Sequence, residues 1–143
     1  MGRILAIDYG RKRVGVAVTD TNKSIAFGLT TVPTHKIFDF INEYLNKEIV
    51  DCIIIGYPKQ LNNKPSEAII YINPFIKKLK KIYPDILIEL EDERFTSKMA
   101  VQTMIDSGLK KKDRQNKALV DEISATIILQ SYLERQNILN KCN

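Results

Sequence analysis

One histidine, two cysteines and no Cys-x-x-Cys pair among 143 residues leave too little to build a zinc site, which needs clustered imidazole and thiolate ligands. Cys52 lies in an apolar run and reads as a small packed hydrophobe, and Cys142 lies in the tail. No apolar stretch approaches the about 20 residues that cross a bilayer. Asp8 interrupts the N-terminal apolar run, so no signal peptide is expected, and Ala6 stands where a myristoylation signal carries Ser or Thr. The expected location is the cytoplasm, without membrane contact. Six glycines and five prolines are too few for a low-complexity chain, and neither a repeat nor a linker divides the sequence. Acids are in the minority, 17 against 22 Lys and Arg, for a net charge of +5. That surplus favours anionic partners without identifying one. With 44% hydrophobic and 27% charged residues, the chain has the composition of one globular domain over 1–143, with 136–143 as a loose tail.

The richest stretch is Ile4 to Val18. An apolar strand, Ile4-Leu5-Ala6-Ile7, runs into Asp8; a basic turn, Arg11-Lys12-Arg13, follows; Val14, Val16 and Val18 then alternate along a second strand. A carboxylate where an apolar strand emerges needs a donor, a cation or a metal. Gly10 offers a backbone angle closed to other residues, and Gly15 leaves space beside the sheet for a close approach. The alternative is a hairpin in which Asp8 only caps its own turn.

Strand-like runs at 3–8, 13–20 and 25–32 predict an antiparallel meander. A helix over 35–48 follows, with Ile37, Phe40, Ile41, Tyr44 and Leu45 on one face, and His35 at its start is expected to be solvated. Residues 51–55 read as a buried strand ending in Gly56-Tyr57-Pro58. Pro65 opens a helix to about Tyr83, whose Lys77-Lys78-Lys80-Lys81 cluster reads first as a solvated face and second as a nucleic-acid contact. A fifth strand covers 86–90. A helix from Thr96 or Ser97 to Gly108, a basic loop over 110–117 and a last helix over 118–135 complete the chain. The predicted fold is α/β, a five-stranded mixed sheet of three antiparallel strands plus two parallel ones, with helices on both faces in the order β-β-β-α-β-α-β-α-α.

Acids collect at strand ends: Asp8 after the first strand, Asp92 and Glu93 after the fifth. Asp121 opens the last helix and shares a face with Ser124, Ala125, Ile128 and Tyr132, whereas Glu122 is expected to face solvent. Asp121 could instead serve its helix N-terminus, and Glu93 could pair with Arg94 or a nearby lysine. Carboxylates brought together repel, and a divalent cation resolves the conflict. Oxygen ligands suit Mg²⁺ or Mn²⁺, and two such ions about 4 Å apart can activate water and stabilise a leaving oxygen in phosphodiester cleavage.

Four blocks then fall in order across residues 3–135. They are Asp8-Tyr9-Gly10 with Lys12-Arg13 and Gly15-Val16-Ala17; Ile54-Ile55-Gly56-Tyr57-Pro58; Asp92-Glu93-Arg94-Phe95-Thr96-Ser97; and Val120-Asp121 with Ala125, Ile128-Leu129 and Tyr132-Leu133. Together they resemble the YqgF (RuvX-like) family. The resemblance implies an RNase H-like fold, related to the RuvC Holliday-junction resolvases, and a hydrolase that cleaves phosphodiester bonds while maturing the 5′ end of pre-16S rRNA in ribosome biogenesis. It implies Asp8, Glu93 and Asp121 as catalytic acids holding two Mg²⁺ or Mn²⁺ ions, the second acid following strand five. Arg11, Lys12, Arg13, Arg94 and Lys117 would contact phosphates of a structured RNA or a branched DNA. The chain departs from the family pattern at Asn62-Asn63, where an Asp-Gly pair is usual, and at Glu122, where a small or polar residue is more common. Two other readings stay open: a DNA junction resolvase, and a non-catalytic RNA-binding ribosome-assembly factor. A phosphate loop of the actin and sugar-kinase type needs a second related domain, for which there is no room. Without an evident exposed apolar stripe, a monomer or weak homodimer is expected.

Overall fold

A computed structural model describes residues 2–57, 67–92 and 117–141. Alternating valines and isoleucines, stiff at χ1 and suited to a pleated surface, form β1 (Arg3–Tyr9), β2 (Arg13–Thr19) and β3 (Ala26–Pro33). A single 3₁₀ turn, Thr34–Lys36, leads into α1 (Ile37–Lys47), so this helix starts two residues later than its apolar spacing predicts. His35 is exposed in that turn, as expected. β4 (Val50–Tyr57), α2 (Glu67–Ile82), β5 (Leu87–Asp92) and α3 (Lys117–Lys141) follow. The sheet order is β3-β2-β1-β4-β5. The first three strands pair antiparallel, and β4 and β5 extend the sheet in parallel from β1, as predicted.

Other boundaries differ from expectation as well. β4 and β5 each run two residues further at their C-terminal ends, because both are paired there, Gly56 with Glu91 and Tyr57 with Asp92. Cross-strand bonding extends the strands past the point where apolar alternation stops. Lys117 belongs to α3 rather than to a loop, and α3 continues to Lys141, six residues beyond the predicted end, so most of the expected loose tail is helical. The helix expected over 96–108 and the rest of the basic loop lie outside the described residues.

Strand alternation splits the core in two. Leu5, Ile7, Val14, Val16, Val18, Ile53 and Ile55 point toward α1 and α2 and meet Ile37, Ile41, Ile72, Phe75 and Leu79. Ile4, Ala6, Ala17, Cys52 and Ile54 point the other way, against Ala125, Ile128, Leu129 and Tyr132 of α3. Helices therefore cover both faces. Each fully buried Ile or Leu contributes about 1.5–3 kcal/mol relative to exposure. Cys52 packs as a hydrophobe, and burial pushes its thiol up to about 12. One apolar cluster is not covered: Ile25, Phe27 and Leu29, in and beside the edge strand β3, are 55%, 48% and 38% exposed. The expectation of no exposed apolar stripe is corrected by this edge, where strand residues that look like core candidates in sequence remain exposed.

Candidate active site

Asp8 stands two places beyond Ala6 on β1 and so takes the α3 side of the sheet, while Tyr9 turns to the opposite side and stacks on Phe75 with ring centroids 4.4 Å apart. Burial raises the Tyr9 phenol above its ordinary pKa. The carboxylate of Asp8 is half-buried at the mouth of an apolar strand.

Across the hairpin, Asp8 pairs with Gly15. A Cβ on Gly15 would run into the backbone carbonyl of Asp121, and its next neighbours would be the Asp121 carbonyl carbon at 2.5 Å and the Glu122 nitrogen at 3.1 Å. The missing side chain lets the first turns of α3 rest on the strand. Ala17 on the strand and Ala125 on the helix, both fully buried, continue the close crossing. Neighbouring antiparallel positions lie about 4.5–5.5 Å apart at Cα. Asp121 is therefore carried to the residue directly beside Asp8, although 113 positions separate them in sequence. The predicted face of α3 is borne out: Ser124, Ala125, Ile128 and Tyr132 are all buried. Ser124, one turn after Asp121, keeps its Oγ buried with no hydrogen-bond partner among the described residues.

The basic turn is pinned from the 3₁₀ turn that follows β3. The Thr34 amide donates to the Lys12 carbonyl at 3.0 Å, and its hydroxyl donates to the Gly10 carbonyl at 2.7 Å. Gly10 is required for a different reason from the expected one. Its φ lies outside the left-handed region, but an added Cβ would sit 2.6 Å from the Arg13 carbonyl oxygen. Arg13 donates from Nε to Asp121 Oδ2 at 2.9 Å, with both side chains partly exposed. Arg11 and Lys12 are exposed, and the Arg11 guanidinium lies over the Tyr71 ring of α2, 4.8 Å from its centroid.

Glu122 does not face solvent as predicted. Its side chain lies over β3, where a Cβ on Gly28 would meet Oε1 at 2.6 Å and Cγ at 3.0 Å. The sheet extends under that side of α3, so β3 meets the Glu122 side chain. Glu91, one residue past the predicted end of the fifth strand, is a buried strand residue. Arg135 Nη2 holds its Oε2 at 2.7 Å, and the Ser131 hydroxyl approaches Oε1 at 3.4 Å. Alternation along β5 is the signal that could have found it, had the strand end been known.

Among the remaining candidates, Glu93 and Arg94 lie outside the described residues, and Lys117 is the first residue of α3. Among the described residues, no three His, Cys, Asp or Glu side chains form a metal-binding group. The crossing at Gly15 brings the Asp121 backbone to the strand beside Asp8, and the Asp121 carboxylate is paired with Arg13. Oxygen-only donors suit a hard divalent cation, and a guanidinium already occupies one of them as a cationic partner.

The family described as RuvX, Holliday junction resolvase, matches residues 2–135. A protein of Phocaeicola vulgatus named "Putative pre-16S rRNA nuclease" is 65% identical over 139 residues, covering 97% of this chain and 100% of its own length. A protein of the same name from Flavobacterium johnsoniae is 59% identical over 133 residues, 93% of this chain and 96% of its own. Among solved structures, the fowlpox virus resolvase in complex with substrate Holliday junction DNA superposes with a TM-score of 0.56 at 17% identity, covering 94% of this chain and 98% of that one. T. thermophilus RuvC in complex with a Holliday junction substrate gives a TM-score of 0.55 at 14% identity, covering 95% and 96%. The likeness to these two is one of fold, and it bears out the expected RNase H-like architecture.

Proposed function

The chain belongs to the RuvX family, and on that premise we propose that it is a metal-dependent nuclease that hydrolyses phosphodiester bonds at the 5′ end of pre-16S rRNA. The observation that carries the reading is the crossing at Gly15, which sets Asp121 beside the partner residue of Asp8. Relatives more than half identical along their whole length, bearing the name of a pre-16S rRNA nuclease, support the choice of substrate.

Asp8 and Asp121 would hold the metal, with Glu93 as third ligand. Bound Mg²⁺ or Mn²⁺ would supply an activated water and charge for the leaving oxygen. Arg13 neutralises Asp121 through its Nε and is near enough to the acids to exchange that carboxylate for a substrate phosphate. Arg11 and Lys12, exposed on the same turn, would carry backbone phosphates, as would Arg94 and Lys117. The half-buried setting of the acids keeps their charge poorly screened, which strengthens their hold on a cation.

The expected result is that Asp8→Asn abolishes cleavage of a precursor carrying the 16S 5′ leader while circular dichroism and melting stay as in the wild type. Cleavage that survives in a folded Asp8→Asn protein rules out this mechanism. A DNA junction resolvase is the second reading, favoured by the family description and by the uncovered apolar edge at β3, since symmetric cutting needs two copies. Comparing four-way junctions with precursor RNA at equal salt separates the two.

A further inference from the structure

We infer that the exposed side of α2 is a track for a single-stranded segment of the substrate, entered from the candidate active site through Arg11 and Tyr71. The inference rests on the nuclease reading for the identity of the ligand, and on α2 itself for its location.

After its first residue, Glu67, the helix carries four lysines and no further acidic residue as far as Ile82. Lys77, Lys80 and Lys81 are exposed and have no carboxylate partner among the described residues, while Lys78 lies over the Phe38 ring at 4.6 Å from its centroid. Four cations within five residues repel one another, and none of them has a salt-bridge partner among the described residues. On α3, by contrast, Arg135 is matched to Glu91. The uncompensated charge calls for a polyanion.

Position selects which polyanion. At 100° per residue, Tyr71, Pro74, Lys78, Lys81 and Lys77 form one stripe on the outer side of α2, with Tyr71 nearest the sheet end that bears Asp8. The Arg11 guanidinium over the Tyr71 ring joins the basic turn to that stripe. From Tyr71 to Lys81 the stripe runs about 15 Å. Beside it lies an open groove of about 610 Å³ lined by Asn73, Pro74, Ile76, Lys77 and Lys80. An aromatic ring with a stacked guanidinium, 38% exposed, offers a platform to an unpaired base but not to one inside a duplex. Lysines along a groove then follow the backbone. This combination fits a single strand rather than a helical stem, and it takes up the second of the two readings that the lysine cluster offers in sequence.

The test measures binding in metal-free buffer by fluorescence anisotropy, using a labelled 15-nucleotide single-stranded RNA and the same sequence as a duplex. Lys77→Gln/Lys78→Gln/Lys81→Gln is expected to weaken single-strand affinity tenfold or more and to flatten its dependence on log salt by about 2, near 0.7 per lost contact. Tyr71→Ala should weaken the single strand several-fold and leave the duplex unchanged, with Tyr71→Phe restoring wild-type affinity. A lysine variant with wild-type affinity and salt slope overturns the track, as does a Tyr71→Ala loss equal for single strand and duplex. The catalytic assignment is read separately. If Asp8→Asn still cuts RNA while the lysine variant loses binding, the assignment fails and the track stands. If Asp8→Asn is inactive while the lysine variant binds normally, the track alone fails.

Discussion

At Gly15 a single hydrogen atom decides how closely the start of α3 approaches the strand beside Asp8. An alanine there would drive its methyl group into the Asp121 carbonyl, a backbone atom in the first turns of α3 with no rotamer to escape through. Either the helix moves off the sheet or the strand bends. Overpacking of this kind costs about 3 kcal/mol, which for a chain of this size lowers Tm by about 10 °C. Gly15→Ala is therefore expected to melt about 10 °C lower and to lose cleavage, whereas Gly28→Ala, facing the flexible end of Glu122, should shift Tm by much less. Equal melting of Gly15→Ala and wild type by calorimetry would contradict the crossing. The space at Gly15 is legible in sequence as an invitation to close approach. Its occupant was not, because nothing local ties residue 15 to residue 121.

Among elements, the β2–β3 hairpin is held by one side chain. Asp20 accepts from the Ser24 amide at 2.8 Å and the Ile25 amide at 3.0 Å through Oδ1, and from the Ser24 hydroxyl at 2.8 Å through Oδ2. Lys23, at φ 57°, takes the left-handed position the turn requires, and its amide donates to the Asp20 carbonyl. These hydrogen bonds, the Ile25 amide foremost, lower the Asp20 carboxyl to about 2. A carboxyl depressed in the folded state stabilises the fold above its unfolded value, and the benefit fades as pH falls toward 2. Asp20→Ala should accordingly have a lower urea midpoint than wild type at pH 5, with the gap closing between pH 4 and pH 2. A gap of constant size across that range would show that the ionised carboxylate does not hold the turn. The meander itself was readable from three alternating runs. The side-chain clasp at its corner was not, since Asp, Ser and Lys in a turn suit many local geometries.

For the molecule as a whole, the sheet puts acids and bases at the same end. The C-terminal ends of β1, β4 and β5 lie side by side, and the basic turn and the start of α2 open there. Calorimetric titration with Mn²⁺ is expected to give binding in the wild type and none in a folded Asp8→Asn/Asp121→Asn variant. Binding that persists in the variant would place the metal elsewhere. Among the described residues no helix is long and apolar enough to cross a membrane.

The order of strands, the helical faces, the acids at strand ends and the family were determined by the sequence alone, because hydrophobic period and short motifs are properties of neighbouring residues. Contacts between distant segments were decided only in three dimensions. Arg13 pairing with Asp121 across 108 positions, Glu122 lying on β3, Glu91 buried against Arg135, and Arg11 resting on Tyr71 all depend on where α2 and α3 cross the sheet. That crossing follows from packing, in which small residues at 15, 17 and 125 set how closely helix and sheet approach. No single stretch of chain contains that information.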